Sequence, residues 1–454
     1  MAASGKKAWE ARSTRGKLLR RVAGVAILGA LAVTAPVIAS GLEPTMRSTG
    51  TTQMESTPEV VYINSVSDPD QRLVNFNENW KFNLGDVSGA NAEVFDDSSW
   101  ESVNLPHDYS IDQEYTAAGE AESGYKLGGI GWYRKSFEVG ADLEGKTIRL
   151  DFDGVYMDAT VWVNGHELGT HPYGYSPFSF DITDYLNYGG ENSIAVKVNH
   201  QTPSSRWYSG SGIGRDVEIV VTDQVHVEKD GVVVTTPSLS SGDATTHLKT
   251  TVANDTAEAV EVELVQTILD AGGTEVGTVT TPVTVEADAS KTVEANAAVT
   301  SYKLWDLSNN PALYTARTEV TVAGEVVDTY DTTFGYRYTS YDANGFLLNG
   351  KRIKLQGVSM HHDQGSLGSV STRDAIERQV AILKDMGVNA IRATHNPYAQ
   401  EFIDVCNENG MLVIEEFFDG WNAPKNGNTY DYSRYFAQTI GETELINASA
   451  DMTW

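Results

Sequence analysis

Two successive all-β sandwiches followed by a parallel α/β segment is the fold class this sequence predicts, a multidomain chain rather than one with a single core. Three observations carry that expectation. Short runs of alternating apolar and polar residues, bounded by turn residues, recur from Leu73 to about residue 222 without helical patterns between them. A second all-β stretch, about 223–335, is dominated by Thr, Val and Ala with few aromatics. From about Gly335 strands alternate with helical patterns, the mark of βαβ units and parallel strands. A length of 454 residues accommodates such an arrangement at roughly 100–200 residues per domain.

The chain opens on a targeting pattern. Lys6, Lys7, Arg12, Arg15, Lys17, Arg20 and Arg21 form a basic region, 22–38 is apolar without a charge, and "VIASG" then supplies small residues suited to cleavage. Residues 1–40 are therefore expected to be a signal peptide or a membrane anchor, and the protein secreted or held at the cell surface. Residues 41–72 read as a linker and entry segment, rich at first in Ser, Thr and Pro.

The stretch 73–222 contains "TIRLDF" (147–152), "ATVWVNGHEL" (159–168) and "NSIAVKVN" (192–199), strands of a sandwich or jelly roll. Asn164-Gly165 predicts a hairpin with a type I′ turn. The stretch 223–335 suits an immunoglobulin-like β-sandwich, without the paired cysteines and strand tryptophan of antibody domains. In 336–454, "RIKLQGVSM" is a strand. Ser371 and Asp374 predict a helix start, with Ile376, Val380 and Leu383 on one face and Gly387 at the end. "NAIRATH" is the next strand. Asn396 is expected to cap a second helix with Pro397 at its first position and Phe402, Val405 and Cys406 facing inward, before Gly410 ends it. "MLVIEEFF" is the third strand.

Active sites of parallel α/β barrels lie at the carboxyl ends of the strands. All three strands end in polar or aromatic residues: His361-His362-Asp363, then His395-Asn396, then Glu416 through Asp419 and Trp421. His361 and His362 are neighbours on a strand, point to opposite faces and are poorly placed to share an ion, so no metal site is expected. Glu415 and Glu416 alternate likewise, and the one facing the barrel interior needs a partner such as Arg392. The net charge of −29 argues against nucleic acid as a partner. The single cysteine, Cys406, rules out an intrachain disulfide.

The stretch 389–414, "NAIRATHNPYAQEFIDVCNENGMLVI", resembles the first signature of glycoside hydrolase family 2, with Asn389, Arg392, His395, Pro397, Asn407 and Gly410 in the matching places and Asn396 where many members have tyrosine. "NLPHDYSI", "GIGWYRKSF", "VWVNGHELG", "SSRWYSGSGIGRDV" and "LQGVSMHHDQGSLG" extend the resemblance to about 73–454. It implies a jelly-roll sugar-binding domain, an immunoglobulin-like domain and the first part of a (β/α)8 TIM barrel. It also implies a retaining exo-glycosidase needing no cofactor, with a β-linked galactoside favoured over β-glucuronides or β-mannosides on the texture of "HHDQGSLG" and "FFDGWNAPKNG". In the family both catalytic glutamates come from later barrel strands, so they are expected beyond Trp454, and this chain alone is expected to be inactive. Carried over by the resemblance, Asp108 and Arg206 reach the sugar from the first domain, His361 and His395 hold its hydroxyls, and Asp419 and Trp421 stand at the rim. A non-catalytic exported carbohydrate-binding protein and a metallohydrolase using His361 and Asp363 are the competing readings.

Overall fold

A computed structural model describes residues 61–63, 72–240 and 242–416. The expected targeting segment, Asp419 and Trp421 lie outside the described residues, and no helix among those described is long and apolar enough to cross a membrane.

The first domain packs a seven-stranded sheet against a four-stranded one. Two long central strands, Gly129–Val139 and Gly190–His200, pair antiparallel along their whole length. Alternation dictates the layering. In Thr147–Phe152 the residues Ile148, Leu150 and Phe152 all point inward and are fully buried. They meet Phe76, Trp80, Tyr133, Phe137, Val161 and Val196 in one core. Burying each large side chain there contributes on the order of 2–3 kcal/mol. The hairpin between Ala159–Val163 and His166–His171 turns through Asn164 (φ 48°) and Gly165 (φ 79°), the two positive values a type I′ turn requires. Asn164 is held there by its own amide, which donates to the Tyr185 carbonyl and to Asn192.

The second domain is also a sandwich, with three strands (Val225–Leu239, Asp243–Asn254, Ala289–Thr300) facing four (Val260–Leu269, Glu275–Val285, Tyr314–Val322, Glu325–Phe334). Its core is aliphatic: Val227, Leu248, Val252, Leu264, Ile268 and Val320, closed by Tyr336, whose hydroxyl hydrogen-bonds Thr246 at 2.6 Å. A buried ion pair bolts it to the first domain. Arg72 reaches Asp328 at 3.0 Å and the Val227 carbonyl at 3.0 Å, while Asp328 accepts the Val227 N–H. Burial lowers the pKa of Arg72 and raises that of Asp328 despite their mutual attraction, so desolvation outweighs pairing on both sides.

The third segment starts the barrel. Strands β1 (Gly357–Met360), β2 (Ala390–Ala393) and β3 (Leu412–Glu415) are parallel and in order, linked by helices α1 (Arg373–Asp385) and α2 (Gln400–Glu408). Ile376, Val380, Phe402, Val405 and Cys406 form the helix–sheet core with Ile391 and Ala393. Gly387 and Gly410 end the helices at φ 81° and 60°. The helix starts differ from expectation. Neither helix has a side-chain cap. Ser371 hydrogen-bonds Glu401 instead, at 3.1 Å. The second helix begins at Gln400, three residues past Pro397, because Asn396 is buried and accepts the Tyr173 hydroxyl at 2.7 Å. Tertiary contacts, one from the first domain and one from α2, outcompete local capping. The second domain is pinned to the same segment by Trp305, 2% exposed, whose indole N–H donates to the Asn407 carbonyl at 2.8 Å.

Candidate active site at the barrel mouth

The residues immediately after β1, β2 and β3 converge. His361 and His395 stand with ring centroids 5.6 Å apart, edge to face. Glu416 places one oxygen 2.6 Å from His395 Nδ1 and the other 2.7 Å from Arg392 Nε, with Arg392 Nη2 also at 2.5 Å. Arg392 is therefore the partner that the Glu416 carboxylate needs. Arg392 Nη2 also lies 3.3 Å from His395 Nδ1. A guanidinium can only donate and a carboxylate only accept, so Nδ1 cannot serve both. The shorter contact decides: Nδ1–H donates to Glu416, which fixes the ring's orientation and leaves Nε2 as its outer edge.

The first domain supplies the facing wall. Trp207, 38% exposed, lies 4.5 Å from the His361 ring and 5.4 Å from the His395 ring. Arg206 stacks its guanidinium over the same indole at 5.8 Å. His361, His395 and Arg206 thus meet around a tryptophan that is not among the site residues expected from the sequence. Its signal was there: an aromatic beside Arg206 in a Ser/Gly-rich loop, where nothing apolar in sequence asks for it to be core.

Asp108, expected to reach the sugar from the first domain, lies where that domain meets the barrel segment. It is 2% exposed, and its oxygens accept five hydrogen bonds. Oδ1 takes Ser110 N, Ser110 Oγ and Ser211 N at 2.9, 2.7 and 2.9 Å. Oδ2 takes the Tyr208 hydroxyl at 2.6 Å and Ser369 N, from the barrel segment, at 2.9 Å. Asp108 is the clasp that holds the Trp207–Tyr208 loop against the barrel. Gly210 (φ 69°) and Gly368 (φ 77°) make room for it, since a Cβ at either would meet its Oδ2 at 2.7 or 2.3 Å.

His362 turns to the opposite side from His361, stacked between Tyr175 and Tyr398 at 4.5 and 4.1 Å. Its Nε2 is buried without a protein partner, and burial together with the neighbouring Arg215 drives its pKa well below the usual histidine range. Glu415 likewise faces away from Glu416. One oxygen accepts the Tyr398 N–H at 2.6 Å, the other is buried without a partner, and desolvation pushes its pKa up to about 7.

Comparison with known proteins agrees with this architecture. The sugar-binding, central and TIM-barrel domain models of glycosyl hydrolases family 2 match residues 73–223, 225–337 and 341–440 in that order. The chain belongs to glycoside hydrolase family 2. A β-galactosidase of Bacteroides ovatus is 41% identical over 376 residues, 82% of this chain and 44% of that protein. A family 2 structure from Bacteroides cellulosilyticus superposes with a TM-score of 0.78 at 38% identity, covering 81% of this chain and 48% of that one. A β-glucuronidase structure from Bacteroides uniformis gives 0.71 at 30% identity, with coverage of 80% and 44%. The chain spans about half the length of these relatives or somewhat less.

Proposed function

We propose that this chain provides the sugar-holding part of a retaining exo-β-glycosidase acting on terminal β-galactosides. The observation that carries the reading is the Trp207–His361–His395 cluster, an aromatic face with two imidazole edges at the carboxyl ends of parallel strands. Such a set stacks on the apolar face of a pyranose and hydrogen-bonds its hydroxyls. The Bacteroides ovatus β-galactosidase among the relatives supports the galactoside. β-Glucuronides are the second reading, supported by the Bacteroides uniformis relative and by the guanidinium of Arg206 beside the cluster. β-Mannosides are a third possibility within the family.

Double displacement needs two carboxyl groups about 5–5.5 Å apart, one as acid then base and one as nucleophile. Neither Glu416 nor Glu415 is proposed for those roles. Glu416 has both oxygens committed to Arg392 and His395, and Glu415 faces the helices. We propose instead that Glu416 sets the tautomer and orientation of His395, and that Asp108 positions Trp207. We also propose export through residues 1–40, on the basic region followed by the uncharged apolar run there; amino-terminal sequencing of the mature protein checks it.

The test presents chromogenic β-galactoside, β-glucuronide and β-mannoside in parallel to this chain continued through the remaining barrel strands, with and without Trp207→Ala. Fastest turnover of the galactoside, with kcat/KM lowered by at least about tenfold in Trp207→Ala, is the expected result. A faster glucuronide or mannoside moves the assignment to that sugar. Sugar binding without turnover of any of the three favours the non-catalytic carbohydrate-binding reading.

A further inference from the structure

Beside the Trp207 cluster the first domain carries a loop, 111–128, that exposes several large apolar side chains. Tyr115 is 77% exposed, Tyr125 50% and Leu127 48%. Isolated exposed aromatics need no explanation, but several on one rigid loop do. This loop is built to be rigid. Gln113 clamps its base, donating to the Gly128 carbonyl at 2.6 Å and accepting from Leu127 N and Gly128 N. Thr116 N bonds the Tyr125 carbonyl at 3.1 Å, and Tyr125 N bonds the Glu120 carbonyl at 2.9 Å. Lys126 is buried beneath, donating to the carbonyls of Ile111 and Gln113 and lying 4.0 Å over the Tyr115 ring. That stacking occupies one face of Tyr115.

Tyr125 sits at φ 61°, a conformation a bulky aromatic adopts at a cost. A glycine or asparagine would hold this turn without strain, yet a tyrosine stands there and its ring is half exposed. Strain of this kind is kept where the side chain's position matters.

The loop also adjoins the sugar-holding cluster. A methyl at Gly124 would lie 3.6 Å from the ring of Tyr208, the residue next to Trp207. The Ile111 side chain packs on Gly368, in the turn after β1. The charges around the rings are negative: Asp112, Glu114, Glu120 and Glu122. The one cation within 111–128, Lys126, is engaged inward. An anionic ligand is repelled here, and a neutral one is not.

We propose that loop 111–128 is a second carbohydrate platform, on which Tyr115 and Tyr125 take the neutral sugar rings that follow the terminal residue of a β-linked oligosaccharide. The proposal deepens the glycosidase reading and rests on it for the terminal sugar at Trp207. It makes a neutral oligosaccharide, rather than a simple glycoside, the natural substrate class.

The experiment is calorimetric titration of the whole chain with methyl β-galactoside and with a β-linked galactotriose. The variants are Tyr115→Ala, Tyr115→Phe and Tyr125→Asn; asparagine tolerates the positive φ, so the turn survives the loss of the ring. The expected result is tighter binding of the triose than of the methyl glycoside. Tyr115→Ala and Tyr125→Asn each weaken the triose by roughly three- to tenfold and leave the methyl glycoside unchanged, while Tyr115→Phe behaves as wild type. Equal affinities in the wild type, or variants that weaken both sugars alike, overturn the platform. Binding of the triose that depends on the tyrosines, without binding of the methyl glycoside, keeps the platform and removes the terminal galactose from Trp207. Binding of neither sugar removes both.

Discussion

Asp108, which we propose acts on the site through the loop that carries Trp207, is held by protein contacts alone among the described residues. Its five hydrogen bonds come from three segments: its own loop, the Trp207–Tyr208 loop and the turn at Ser369. Replacing one oxygen by an amide turns an acceptor into a donor facing donors. Asp108→Asn is therefore expected to cost about 2–4 kcal/mol, read as a fall of roughly 5–10 °C in Tm. It should also weaken galactoside binding, because Trp207 loses its anchor. The discriminating measurement is the double variant with Trp207→Ala. If Asp108 acts through the indole, the two losses do not add; full additivity would assign Asp108 a separate contact with the sugar.

At the scale of elements, the order strand–helix–strand–helix–strand was legible in the sequence because apolar period and glycine stops agree with tertiary packing: Gly387 and Gly410 close α1 and α2 where expected. The turn at Asn164-Gly165 was legible for the same reason, since its conformation is decided within four residues. The helix starts were not. Asn396 and Ser371 carry capping chemistry, but Tyr173 and Glu401 claim them from a distance, and no local pattern reveals a partner some 30 or 223 residues away. His361, His395 and Glu416 were readable as strand endings, and Arg392 as a partner for one of two adjacent glutamates; for Trp207 the sequence offered only an aromatic in a Ser/Gly-rich loop, and its neighbours come from another domain. The same segment carries two buried groups of opposite pH behaviour. Glu415 has a folded pKa raised to about 7, so the folded state favours its protonated form. Its contribution is fully present below the unfolded value near 4.5 and is lost as pH rises towards 7. His362 is depressed, so its contribution is present above about 6.5 and lost as pH falls below that. Glu401, also raised to about 7, adds to the alkaline loss. Tm measured from pH 4.5 to 8 should therefore fall less steeply above pH 5 in Glu415→Gln than in wild type. An unchanged slope would mean that Glu415 is solvated in the folded protein.

Across the whole molecule, cohesion depends on a few buried contacts between domains. Trp305 fills the junction between the second sandwich and the barrel segment and donates to Asn407. Trp305→Ala is expected to cost about 3–5 kcal/mol and to expose residues near 336–356 to protease, while the two sandwiches persist as a resistant fragment. Simultaneous digestion of all three domains would show that they unfold as one unit. The mouth itself belongs to no single domain: Trp207 comes from the first, His361 and His395 from the third, and Asp108 locks them together. This has a consequence for inheritance. A recombination crossover near 224, which would look harmless because it falls between two closed cores, would join one lineage's barrel to another's tryptophan wall. The hybrid would fold, yet its pocket would be half foreign. Loops 111–128 and 201–211 and the strand ends are thus bound to be selected together, and shuffling of the amino-terminal sandwich becomes a route by which sugar preference changes while the barrel stays the same.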